Sequence, residues 1–136
     1  MRILPLLLLA GALAIAPRAA WAHAFPNKTV PPVGGTVTTP PKVVSIWYTM
    51  GVQQGLAFCT VTDDAGKVVS EGPGQVCGPN GCCLTEQLKP LKPGRYTVAW
   101  HVLAEDGHPS QGHYHFTVAP PPVCPCTPAP VTSTKH

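Results

Sequence analysis

Charge is scarce in this sequence, with nine Lys and Arg and six Asp and Glu among 136 residues. No basic stripe forms, so the electrostatic footprint that draws a protein onto nucleic acid is missing and no nucleic-acid partner is expected. Long apolar runs are equally few. One covers residues 3–16, and nothing after it approaches the roughly 20 apolar residues that a membrane-crossing helix needs. Helical periodicity is absent as well, and Pro31-Pro32, Pro40-Pro41, Pro90 and Pro93 would break any long helix. No Ser-His-Asp or Cys-His arrangement stands out and no phosphate-cradling glycine loop appears, so the pattern gives no reason to expect catalysis. No internal repeat is visible.

What is there begins with a leader. Arg2 gives a positive start, residues 3–16 form the apolar run, and Ala20-Trp21-Ala22 is a small-x-small cleavage signature. This is the layout of a secretory signal peptide over residues 1–22. Cleavage after Ala22 would make His23 the first mature residue and remove Arg2 and Arg18, leaving a nearly neutral chain of one-domain length. In an exported chain the six cysteines, Cys59, Cys77, Cys82, Cys83, Cys124 and Cys126, suggest disulfides first. Spacing alone does not choose their pairing.

The remaining runs are short and rich in β-branched and aromatic residues. Residues 43–48 read as a strand, and so do residues 55–62, in which Ala57, Cys59 and Val61 share a face. Residues 67–69 read as a short strand after the turn Asp63-Asp64-Ala65-Gly66. After the Pro93-Gly94 turn, residues 95–103 alternate strictly through Tyr96, Val98, Trp100 and Val102. In a last strand over residues 113–118, Tyr114, Phe116 and Val118 take one face and His113, His115 and Thr117 the other. Short strands between Gly, Pro and Asp turns imply an all-β sandwich or barrel. Residues 119–136 are proline-rich, cannot form sheet ladders and read as a tail. It carries Cys124-Pro125-Cys126, too closely spaced for an unstrained internal bridge. Pairing with the domain, pairing with another chain and soft-metal capture stay open for these two cysteines.

The chemistry gathers in Glu105-Asp106-Gly107-His108-Pro109. Asp106 and His108 lie on a Gly/Pro loop between two strands, and Gly107 lets the backbone turn both side chains toward one point. A carboxylate oxygen and an imidazole nitrogen make half of a tetragonal site, the geometry of copper(II) and nickel(II), and copper(II) binds tightest of the divalent series. A chain-terminal His23 would supply the other half through its imidazole and its α-amine, whose proton, with a pKa of about 8, a metal can displace. The predicted ligands are thus the His23 amine, the His23 imidazole, Asp106 and His108. An Asp-Gly turn beside a solvated histidine is the commoner use of such residues, and so is a first residue that happens to be histidine. Their joint appearance in an exported β-domain favours the metal.

Here the sequence resembles a known family. His23-Ala24-Phe25, Pro32-Val33-Gly34-Gly35-Thr36-Val37, Pro40-Pro41-Lys42-Val43 and Val61-Thr62-Asp63-Asp64-Ala65-Gly66-Lys67 are similar to the CopC copper-resistance family. So are Pro93-Gly94-Arg95-Tyr96-Thr97-Val98-Ala99-Trp100 and Asp106-Gly107-His108-Pro109. The resemblance covers nearly all of residues 23–118. It implies a Greek-key β-sandwich of immunoglobulin-like or cupredoxin-like kind that binds copper(II) in the periplasm. It places the ligand roles on His23, Asp106 and His108. It further implies copper carriage, buffering or delivery beside a membrane copper importer of the CopD kind, by a protein expected to be a monomer.

Some relatives also hold copper(I) in a methionine-rich loop, but the chain after residue 22 has only Met50. In that place stands Cys77-Gly78-Pro79-Asn80-Gly81-Cys82-Cys83. Thiolates suit copper(I), yet in an oxidising compartment a disulfide from Cys77 to Cys82 or Cys83 is the stronger expectation. Cys59 is expected to point into the core, as a buried thiol or a bridge to this loop. His113 and His115, at i and i+2 on one strand face, make a second candidate metal pair. Two other functions compete with the carrier: a copper monooxygenase using an N-terminal histidine chelate, and a disulfide-stapled interaction module. The carboxylate ligand argues against the first, because it leaves fewer open positions for oxygen.

Overall fold

The computed structural model describes residues 23–123. The leader expected at residues 1–22, and Cys124, Cys126 and His136 of the tail, lie outside the described residues. Eight strands form in chain order: β1 (Pro26–Val30), β2 (Thr36–Val37), β3 (Val43–Tyr48), β4 (Val52–Asp63), β5 (Gln75–Cys77), β6 (Cys83–Gln87), β7 (Gly94–Ala104) and β8 (Pro109–Val118). A single 3-10 turn at Pro79–Gly81 is the one helical element among the described residues. The architecture is the expected all-β sandwich. One sheet has the order β1-β3-β6-β5 and the other β2-β8-β7-β4. All pairings are antiparallel except that β2 runs parallel to β8. The chain passes between the sheets at β1–β2, β2–β3, β3–β4, β4–β5 and β6–β7, and stays within one sheet only at β5–β6 and β7–β8.

The period of two in the sequence becomes the two faces of each strand. Val44, Ile46 and Tyr48 of β3 are buried, as are Ala57, Cys59 and Val61 of β4. Tyr96, Val98, Val102 and Ala104 of β7 and Tyr114, Phe116 and Val118 of β8 join them in one core between the sheets. Tyr96 and Phe116 stack there with ring centroids 5.4 Å apart. The Tyr96 hydroxyl donates to the Lys92 carbonyl at 2.7 Å, tying the corner before β7 to the strand it starts. Side-chain hydrogen bonds of this kind brace the corners of antiparallel sandwiches.

The structure differs from expectation in several elements. Residues 67–69 do not form a strand: Val68 makes only an isolated bridge with Thr62. The reason is that this segment crosses between the sheets. Val69 donates its N–H to Val61 in one sheet, while its carbonyl accepts from Lys89 beyond β6 in the other. β4 begins at Val52 and not at residue 55, with an irregular register between Val52 and Ala57. β8 begins at Pro109 and not at residue 113. The strands β1, β2, β5 and β6 were not legible as strands. β6 hides behind Glu86, a charged residue at a buried position. Its Oε1 accepts the backbone N–H groups of Glu71 and Gly72 at 3.2 and 2.8 Å, which offsets part of the cost of burial.

The disulfide expected in the cysteine loop joins Cys77 to Cys83. These two residues face each other in the β5–β6 register, with Cα atoms 4.7 Å apart. Cys82 points elsewhere and keeps its thiol, as does Cys59, which is buried in the core. The thiolate set Cys77, Cys82 and Cys83 considered for a soft metal is therefore not available in this form, because two of its three sulfurs are bonded to each other.

Candidate metal centre

The site lies where the β7–β8 hairpin turns. β7 and β8 pair without interruption from Gly94↔Val118 to Leu103↔Pro109, so the connection between them is short. Ala104 donates to the His108 carbonyl and Gly107 donates to the Ala104 carbonyl, each at 2.9 Å. Gly107 takes φ +85°, a left-handed conformation that glycine adopts at little cost. The sequence thus builds a tight turn in which Asp106 and His108 stand on either side of a glycine. Asp106 Oδ1 accepts the backbone N–H of His108 at 3.0 Å, the Asx arrangement common in turns. Asp106 Oδ2 lies 3.2 Å from His108 Nδ1.

His23 reaches the same place from the other sheet. Ala24 is completely buried and anchors the segment in the core. Thr49, just past β3, clamps it further. The Thr49 hydroxyl donates to the His23 carbonyl and accepts the Phe25 N–H, each at 3.2 Å, and the Thr49 N–H donates to the Phe25 carbonyl at 2.9 Å. The His23 ring meets Phe25 edge-on at 5.9 Å and His108 edge-on at 4.9 Å between centroids. One ligand atom from each of His23, Asp106 and His108 lies within 4.8 Å of the others. The three residues predicted from the sequence as ligands thus converge.

Two observations bear on what the cluster can hold. His23 Nδ1 is buried and has no hydrogen-bond partner. Buried polar atoms are seldom left so, and an orphaned imidazole nitrogen beside a carboxylate and a second imidazole is a natural place for a cation. The 3.2 Å between Asp106 Oδ2 and His108 Nδ1 also falls within the about 2.8–3.4 Å that separates two ligands bound about 2.0–2.1 Å from one ion. The Asp106 carboxyl is held below its ordinary range, chiefly by the backbone N–H of His108, with help from the His108 side chain and the nearby His23. An ionised carboxylate is therefore ready for a cation over a wide pH range.

His113 and His115 are not part of this cluster. They sit on the outer face of β8, with ring centroids 5.8 Å apart. Cys82 is half-exposed, its Sγ 3.6 Å from the Asn80 carbonyl. The contributors that sequence reasoning missed are Thr49 and Gly51. A Cβ on Gly51 would run into the Asn80 carbonyl and the Glu105 carboxylate, so only glycine lets the turn and the cysteine loop close over this end. Thr49 acts across 26 positions, a separation at which no local pattern signals a partner.

Comparison with known proteins agrees with the fold. The CopC domain model matches residues 27–119. Protein YobA of Escherichia coli (strain K12) is 33% identical over 99 residues, covering 72% of this chain and 80% of YobA. The copper transport protein CutJ of Bacillus subtilis is 26% identical over 103 residues, 75% of this chain but 19% of CutJ. The crystal structure of CopC from Methylosinus trichosporium OB3b superimposes with a TM-score of 0.64 at 31% identity, over 72% of this chain and 95% of that one. PcoC, a copper resistance protein from Escherichia coli, shares the fold at a TM-score of 0.62 and 19% identity, over 69% of this chain and 98% of that one. With a family model matched over more than half its length, and a sandwich that carries the predicted cluster at one end, the chain belongs to the CopC family.

Proposed function

We propose that this protein is an exported copper(II) carrier of the periplasm, holding one ion through His23, Asp106 and His108. The observation that carries the reading is the convergence of these three side chains, and the buried His23 Nδ1 without a hydrogen-bond partner supports it. Two imidazoles and a carboxylate form an N,O set of the kind copper(II) prefers. The names of CutJ and PcoC, a copper transport and a copper resistance protein, point to the same metal. Removal of residues 1–22 would free the His23 α-amine and complete a four-ligand set with an amine and an imidazole from one residue. Carriage, buffering and delivery to a membrane copper importer follow as roles for a site at a surface turn, where an ion can be passed on without unfolding the sandwich. The protein acts as a monomer and without catalysis in this reading.

The test is copper(II) titration of the mature protein, its N-terminus fixed by mass spectrometry. The expected result is one tight equivalent. It should weaken in His108→Ala and in a variant carrying one extra residue before His23. A mature chain beginning elsewhere, or unchanged affinity in both variants, would overturn the proposal. Turnover of oxygen by the copper-loaded protein with a reductant, well above that of free copper, would favour a monooxygenase instead.

A further inference from the structure

We infer that His113 and His115 form a second, weaker site for a divalent transition-metal ion, on the outer face of the β2-β8-β7-β4 sheet. Tyr114 and Phe116 of β8 point into the core, so the alternation of the strand turns His113 and His115 outward together. Their ring centroids lie 5.8 Å apart. Two imidazoles sharing an ion at about 2.0–2.1 Å per nitrogen have centroids no more than about 6.4 Å apart, so rotation of the side chains suffices for both to bind one ion. On β7 the residue opposite His113 is Ala99, which leaves room beside that ring. The residue opposite His115 is Thr97, whose Oγ1 lies 2.9 Å from His115 Nδ1.

That contact resembles the outer-shell partners of known metal sites. With the His115 proton on Nδ1 and Thr97 Oγ1 accepting it, Nε2 is the ligand atom and the ring is held in place. The site is separate from the first. Five residue steps along the strand, about 16 Å, separate His108 from His113, so no ligand is shared. It is weaker for two reasons. Only two protein ligands are present, and the cationic residue Arg95 lines the same depression as both histidines. Neutral imidazoles without a carboxylate suit copper(II), nickel(II) or zinc(II), with water filling the remaining positions. The pair would load after the first site and give the protein room for a second ion when copper is abundant. His101, on the same outer face, stacks against Phe58 of β4 at 6.4 Å, on the side away from β8, and takes no part.

The test uses the mature full-length chain and copper(II) in a weakly coordinating buffer, followed by calorimetry and electron paramagnetic resonance. Wild type should take two equivalents, the second weaker and with a distinct nitrogen-ligated spectrum. The double variant H113Q/H115Q should lose the second and keep the first. His108→Ala should weaken the first and keep the second, so failure of the one site is distinguishable from failure of the other. Thr97→Val should weaken only the second, by about tenfold, and His101→Gln should leave both unchanged. Near-ultraviolet circular dichroism establishes that each variant folds. Saturation of wild type at one equivalent, or survival of the second equivalent in H113Q/H115Q, would overturn the inference.

Discussion

Asp106 does two jobs at the turn: Oδ1 holds the His108 backbone while Oδ2 faces the His108 ring. Replacing His108 by Ala removes a ligand and leaves the backbone bond intact. Copper(II) affinity should then fall by more than the about 10–100-fold typical of losing a mere outer-shell partner, as measured by competition with a chelator of known affinity. Acidity separates the ligand types. The Asp106 carboxyl is depressed below its ordinary 3.8, so it stays ionised as the pH falls to that value, and the stability it lends the turn is lost only below it. Protons should instead displace copper at the imidazole nitrogens, which must be unprotonated to bind a metal. Affinity should therefore drop steeply as the solution is acidified, well before the carboxylate is lost. A flat profile would count against histidine ligation. Cysteine chemistry is equally residue-specific. Burial, and secondarily the Glu86 charge, pushes the Cys59 thiol up to about 12, whereas Cys82 is half-exposed. Alkylation of the native protein followed by peptide mapping should label Cys82, spare Cys59 and recover Cys77 and Cys83 as a linked pair.

Strands respond to change through their faces. Phe116 on β8 is 1% exposed and stacked on Tyr96, so Phe116→Ala should cost about 3–5 kcal/mol in chemical denaturation. Gly112, one register step from the histidine pair, has Trp100 ring atoms 2.7 Å from where a Cβ would lie. Gly112→Ala should push the indole aside and destabilise by about 1–3 kcal/mol. β6 offers a pH test. Desolvation raises the Glu86 carboxyl above its ordinary 4.5, against the lowering effect of the Gly72 and Glu71 N–H groups. The folded state therefore holds this proton more tightly than the unfolded chain, and the contribution to stability is lost as the pH rises through 4.5 and above. Glu86→Gln lacks that titration. Its melting temperature relative to wild type should shift in the variant's favour across the same rise, and a constant difference would refute the assignment. The strands that were legible, β3, β4, β7 and β8, are those whose apolar and polar residues alternate. β6 was not, because a loop supplies the hydrogen bonds that let a carboxylate sit where the pattern calls for an apolar side chain.

For the molecule as a whole, the proposed metal centre draws its ligands from both sheets. His23 leads into β1 of one sheet, while Asp106 and His108 terminate the β7–β8 hairpin of the other. Unfolding separates these groups, so copper at a hundredfold excess over its dissociation constant should raise stability by about 2.7 kcal/mol and the melting temperature with it. Chelation should reverse the shift. The sequence by itself determined the fold class, the four alternating strands and the Asp106–His108 pair, because period-two burial and an Asp-Gly-His turn are local and need no knowledge of distant neighbours; His23 was named from the expected cleavage site and the family resemblance. Only the tertiary structure decided which cysteines pair, where the chain crosses between sheets and how Thr49 and Gly51 hold the site together. Those outcomes depend on register between segments far apart in the chain: Cys77 meets Cys83 and not Cys82 because β5 and β6 pair in one particular alignment, and a single-residue slip would have turned the other sulfur inward.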